Sequence, residues 1–152
     1  MNNVSFGSST RVYETIGGGA GATEKGLGAS GVHTHMTNPG ITDVEILETE
    51  QPVVVECFAL RRGSGGEGAH RGGDGLRRIL ILLEPDRGVG DLEPSSKRAP
   101  FGAHGGSAGA HGRNPANGNE KDRLSPLPRA TCYVETPGGG GWGRPQENSV
   151  GR

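Results

Sequence analysis

Two histidines one residue apart are the first side chains in this sequence that could do chemistry. In the stretch GVHTHMTN, residues 31–38, an extended backbone would place His33 and His35 on one face, about 7 Å apart. That separation suits two imidazoles on one metal ion, with Asp43 or Glu45 as a third ligand. A pair of hydrogen-bonded loop histidines is the plainer reading of the same pattern. His104 and His111 lie in a Gly-Ala stretch with no carboxylate near them in sequence.

A second cluster runs through RRGSGGEGAHRGGDG, residues 61–75. It sets Arg61, Arg62 and Arg71 on a glycine scaffold beside Ser64 and Asp74. Such a scaffold can form a nest for a carboxylate or phosphate, or a solvated hairpin with surface charge. Two glycine runs, GGGAGA (residues 17–22) and GGGGWG (residues 138–143), formally fit a dinucleotide fingerprint. That chemistry needs a helix N-terminus directly after the glycines. The first run leads into TEKGLGASG and the second into Arg144-Pro145, so tight backbone geometry is the better explanation. No Ser-His-Asp or Cys-His order suggests a nucleophile.

The elements that must position these residues are short. RVYETI (residues 11–16), PVVVECFALRR (52–62) and ATCYVET (130–136) are β-branched or aromatic runs closed by Gly or Pro, which predicts strands. LRRILILLEP (76–85) is ambiguous by periodicity, but its length between Asp74-Gly75 and Pro85 favours a strand. TDVEILETE (42–50) is the best helical candidate, with Thr42 as cap and Glu45 completing a capping box. Residues 86–100 and 114–129 are polar and rich in Pro, Ser, Asn and charge, and are expected to be loops.

Bulk composition bounds the rest. The 152 residues include 30 glycines and 10 prolines, and only 30% are hydrophobic, so a large side-chain core is not expected. A net charge of −1 with interspersed signs argues against nucleic acid as a partner. Cys57 and Cys132 are too few for a disulfide framework, and neither a signal pattern nor a membrane-length apolar run occurs. Cytoplasmic location is the resulting expectation. The fold expected is mainly β, with long Gly-rich loops and at most short helices.

Taken in order, MNNVSFG, YETIGGGAGA, GASGVHTHMTN, ITDVEILE, PVVVECFALRRGSGGEGAHRGGDGL, APFGAHGG, GAHGRN and ETPGGGGWG closely resemble the C-terminal part of the hydantoinase B/oxoprolinase family. That family includes ATP-dependent 5-oxoprolinases, N-methylhydantoinase B and acetone carboxylase-like subunits. The likeness covers residues 1–143, an N-terminally truncated fragment of a larger domain, and leaves 144–152 as an expected disordered tail. It implies ATP-driven activation of an amide or enolate oxygen, followed by opening of a lactam or imide ring of the 5-oxoproline or hydantoin type. Cationic or donor groups must then surround the developing charge.

The matched positions offering such groups are His33, His35 and Asn38, with Asp43 to orient them, as a catalytic set. Arg61, Arg62, Arg71 and Asp74 form a substrate-binding set. The resemblance implies that ATP and a divalent metal serve the complete enzyme and that this chain alone binds neither. It implies as partners an A-type ATPase half or subunit and the missing N-terminal part of the B half. The substrate is a small cyclic amide, and neither nucleic acid nor membrane is involved. Three departures stand out: Pro39-Gly40 replaces the family's Thr-Arg, DRGVGDLEPSSKRAPFG (86–102) stands where the family has a strand and an arginine-rich segment, and PLPRA (126–130) replaces a Pro-Gly-Asp turn. They fit a truncated or decayed gene copy as well as a working subunit, so the alternative is a non-catalytic remnant of a decayed gene copy or a Gly-rich binding module.

Overall fold

A computed structural model describes residues 2–7, 11–34, 38–84, 98–114 and 131–145. The element order is β1 (Asn2–Phe6), β2 (Val12–Ile16), α1 (Val44–Glu50), β3 (Val53–Arg61), β4 (Gly75–Leu82) and β5 (Thr131–Glu135). Strands β1 and β2 form an antiparallel hairpin, and β3-β4-β5 form a separate antiparallel sheet with β4 in the middle. The fold is therefore mainly β with one short helix. Each strand expected from β-branched composition is present. β1 is an additional strand, whose signal is the alternation of Val4 and Phe6 among polar residues.

The two sheets and the helix share one side-chain core. Val4, Phe6 and Ile16 from the hairpin meet Leu47 of α1 and Leu80, Leu82, Cys132 and Val134 of the larger sheet. Alternation along β4 explains which residues enter it, since Arg78, Leu80 and Leu82 share the inward face. Register slips between Val55 and Cys57, where Glu56 is the extra residue. Val53 and Val55 therefore lie opposite Leu82 and Leu80, whereas beyond the bulge Phe58 and Leu60 lie opposite Arg78 and Leu76. The helix begins at Asp43, not at Thr42 as the capping box predicts. The Asp43 carboxylate accepts from Glu45 N at 2.9 Å, and Thr42 stands outside that bond.

Among the described residues Arg78 is the one charged side chain fully enclosed in this core, with Glu14 of β2 as its partner. Nη1 lies 3.1 Å from Glu14 Oε2, off the line of a hydrogen bond, and Nη2 reaches Oε1 at 3.5 Å. Nε, Nη1 and Oε2 have no hydrogen bond among the described residues. The guanidinium also faces the Phe58 ring at 5.3 Å. Burial draws the Arg78 pKa below its ordinary range, and Glu14 acts in the opposite direction. The pair ties the hairpin to the sheet.

The glycine-rich segments form a second, different core. Segment 137–143 is hydrogen-bonded to five others: Gly19 N to Pro137 O, Gly66 N to Gly139 O, Gly139 N to Gly73 O, Gly141 N to Ser107 O, and Ala103 N to Gly141 O. A β-strand has two in-plane neighbours and cannot do this. The bonds recur every third residue. Gly19 and Ala22 donate to Pro137 and Gly140, Gly28 and Gly31 donate to Arg71 and Asp74, and Ser107 and Ala110 donate to Glu67 and Ser64. Three residues per turn is the screw of polyproline II, so these segments pack as a polyproline II bundle. Residues 64–66 and 72–75 are buried in it, which replaces the solvated hairpin expected for 61–75.

Close backbone approach is what demands glycine here. A Cβ on Gly139 would overlap the Ala20 carbonyl, and one on Gly138 would overlap the Ser64 carbonyl. Trp142 closes one end, exchanging two backbone hydrogen bonds with His70, while the His104 ring lies 3.9 Å from its own. His104 and Gly105 have φ of 51° and 91°, and Gly106 N donates to Ala103 O at 2.9 Å. Both central residues at positive φ make this a type I′ turn. Of the two polar stretches expected as loops, 86–100 and 114–129, residues 86–97 and 115–129 lie outside the described residues, as does the tail from residue 146. No helix among the described residues is long and apolar enough to cross a membrane.

Candidate functional site

A cleft of about 560 Å³ opens where the hairpin meets the glycine bundle. That is a volume typical of small-molecule sites. Its walls come from the end of β2 and the glycines after it (Ile16 to Gly19), from Val32-His33-Thr34, from Pro100-Phe101, and from Pro137 with Gly139 to Gly141. The sequence reaches this arrangement because the glycine runs let three chain segments pass within backbone contact. Their flanking residues then line the gap between them. Side chains are therefore supplied mostly by the ends of the runs, and the floor is peptide backbone.

The catalytic set from the sequence is only partly brought together. His33 is half-buried in the cleft wall, and Thr34 beside it is exposed. His35 lies outside the described residues. Asn38 is exposed and is not among the cleft residues. Asp43 is engaged as the N-cap of α1. Among the described residues no three His, Cys, Asp or Glu side chains gather as a metal-ligand cluster.

The substrate-binding set lies elsewhere. Arg61 Nε lies 3.4 Å from Glu135 Oε2, and its Nη1 donates to the carbonyls of His111 at 2.8 Å and Thr136 at 3.3 Å. Burial draws the Arg61 pKa down, while Glu135 raises it and Arg113 and Arg77 lower it. Arg71 joins Asp74 at 2.9 Å and Glu67 at 3.2 Å. Asp74 accepts from Gly65 N at 2.9 Å, its own N–H donates to Ser30 Oγ, and Ser64 Oγ accepts from Gly75 N. Burial works to raise the Asp74 carboxyl, but Gly65 N–H and Arg71 outweigh it and hold the pKa below the ordinary carboxylate value. These residues fasten the arms of the bundle to each other. Arg62 is exposed and takes part in none of the ion pairs among the described residues.

Sequence reasoning missed the rest of the cleft. Phe101 is 84% exposed at its rim, and the APFGAHGG motif that carries it was the available signal. The contribution of Ile16, Pro100 and Pro137 depends on chain crossings that no local pattern encodes.

Comparison with known proteins agrees with this architecture. The acetone carboxylase of a nucleotide-free structure superposes with a TM-score of 0.67 at 16% identity, over 94% of this chain and 25% of that one. An ATP-dependent caprolactamase from Pseudomonas jessenii gives 0.65 at 23% identity, over 95% and 30%. These likenesses establish a shared fold. In sequence, 5-oxoprolinase 1 of Arabidopsis thaliana is 43% identical over 94% of this chain, and the 5-oxoprolinase of Dictyostelium discoideum 39% over 95%. The chain spans 12% of the length of each of those two relatives. The family model for hydantoinase B/oxoprolinase matches residues 1–145, and the chain belongs to that family.

Proposed function

We propose that this chain is the C-terminal part of the catalytic half of an ATP-dependent amidohydrolase that opens a lactam or imide ring of the 5-oxoproline or hydantoin type. The observation that carries the reading is the identity of 43% and 39% to two 5-oxoprolinases across nearly the whole chain. The chain is inactive alone on this reading. An A-type ATPase half supplies ATP-dependent phosphorylation, and the remainder of the B half supplies the divalent metal, whose charge would stabilise the activated amide. The role of this chain is to form one wall of the substrate site. His33 and Thr34 present donors there, with His35 and Asn38 next in the sequence as further members of the set and Asp43 beyond them as the cap of α1. Arg61, Arg71 and Asp74 contribute by holding the bundle in shape, and Arg62 is the cation of that set left for an anionic group.

One observation favours a second reading, a non-catalytic remnant or Gly-rich binding module. Arg61 and Arg71 are already neutralised by carboxylates of the same chain. Mixing this chain with an A-type half and the missing B region, then measuring ADP release dependent on 5-oxoproline or hydantoin, separates the two. Stimulation over the mixture lacking this chain supports the catalytic reading, and equal rates contradict it.

A further inference from the structure

Segment 137–143 turns its backbone N–H groups toward different neighbours in rotation, and one N–H donor is left over among the described residues. Gly138 N and Gly141 N donate to the 106–110 segment, Gly139 N donates to Gly73, and Gly143 N donates to Ala103. Gly140 N donates to no described residue, although Gly140 is buried. Gly21 N, on an exposed residue, also donates to none, while Ala20 N and Ala22 N on either side both donate. Gly140 and Gly21 both line the cleft, and the bond from Ala22 N to Gly140 O at 2.9 Å holds the two segments side by side. Buried backbone N–H groups nearly always find an acceptor. The Gly140 donor therefore marks a place for an oxygen that no described residue supplies, and Gly21 offers a second donor on the neighbouring segment.

The rim beside Gly140 carries the complementary feature. Phe101 is 84% exposed, the most exposed of the large apolar side chains among the described residues. It flanks the cleft together with Pro100, and Ile16 and Pro137 complete an apolar surround. A ring can lie against an aromatic face at little entropic cost, and an oxygen on that ring needs donors to be desolvated.

We infer that the cleft holds a compact ring bearing one exocyclic oxygen, with Phe101 as the platform for the ring and the Gly21 and Gly140 N–H groups as donors to the oxygen. This rests on the cyclic-amide reading of the proposed function and adds to it the residues that position the ring. Phe101 is a positioning residue here, and Gly140 cannot be replaced by any other residue type without a clash. A Cβ on it would overlap the Phe101 carbonyl.

The test uses the whole chain, ¹⁵N-labelled, with 2-pyrrolidinone as the ring probe and N-methylacetamide as an open-chain amide. Pyrrolidinone should move the amide resonances of Gly21 and Gly140, and N-methylacetamide should move them less. Phe101→Ala should weaken the pyrrolidinone response about tenfold, and Phe101→Tyr should restore it. Shifts centred elsewhere, no shifts, or an unchanged response in Phe101→Ala would overturn the inference. In the reconstituted mixture, Phe101→Ala should raise KM for the lactam with little change in kcat. Lactam-dependent ADP release with an unaltered KM would remove the platform and leave the catalytic reading standing. Binding at Gly21 and Gly140 without any ADP release would do the reverse.

Discussion

The three-stranded sheet with its covering hairpin and the glycine bundle lie side by side and are held together by opposite means. In the sheet region, side chains do the filling: Leu80, Val4 and Val134 exclude water, and strand ladders satisfy the backbone. In the bundle glycine leaves no side chain between the segments at their crossings, and at Gly138 and Gly139 backbone meets backbone closely enough that a single methyl group has no room. The comparison shows that a chain with few hydrophobic residues can still build a close-packed interior. It satisfies its N–H and C=O groups between segments and lets the missing side chains bring dispersion contacts inward. The sheet tolerates small changes of volume by shifting side chains, whereas in the bundle the obstacle is a neighbouring main chain. The cleft sits at the seam of the two regions and takes its shape from the rigid one.

The sharpest way to break this comparison is one added methyl group. Gly139→Ala should cost about 4 kcal/mol, because the new Cβ meets the Ala20 carbonyl rather than a movable side chain. Gly26→Ala, with nothing within 4 Å, should stay within about 0.5 kcal/mol. Urea unfolding of the two variants measures the difference, and similar midpoints would mean that the bundle is not close-packed.

A somewhat smaller effect tests the sheet side. Glu14→Ala should cost about 3 kcal/mol by leaving Arg78 buried without its counter-charge. The double variant Glu14→Leu with Arg78→Met should recover most of that loss, since both are apolar and near in volume. Failure of the double variant to recover would show that the ion pair carries structure that apolar packing cannot replace.

Next comes the link within the bundle. Asp74→Ala should cost about 2 kcal/mol, the loss of its hydrogen bonds to Gly65 N and Arg71. Asp74 is ionised more easily folded than unfolded. Its contribution is therefore complete well above the ordinary value of 3.8 and is lost as pH falls through the lower folded value. Thermal unfolding followed from about pH 5 downward should show a steeper decline for the parent chain than for Asp74→Ala. The smallest effect concerns the two thiols. Burial pushes the Cys132 pKa up to about 12, so alkylation at neutral pH should modify Cys57 first and Cys132 only on unfolding.

How far these regions could be read from the sequence obeys the same division. Strand periodicity and β-branched composition locate β2, β3, β4 and β5 because those signals are local, and LRRILIL becomes a strand once its length is weighed. β1 escapes because Asn2, Asn3 and Ser5 are buried polar residues that composition assigns to the surface. The bundle is legible as a concentration of glycine but not as an architecture. Its period of three lies in the hydrogen bonding between short segments, and no one segment is long enough to repeat it in sequence. The same limit explains why His33 was found and the cleft around it was not. Phe101 and Gly140 come together across a chain crossing, and Asp43 is drawn away to cap a helix.

Amide hydrogen exchange resolved at single residues tests the bundle most directly. A packed glycine core requires Gly66, Gly73, Gly139 and Gly141 to be protected to a degree comparable with Leu80 in the sheet, with Gly140 and Gly21 exchanging faster than their neighbours. If residues 138–141 all exchange at the rates of open chain while Leu80 remains protected, the glycine segments do not form a packed core.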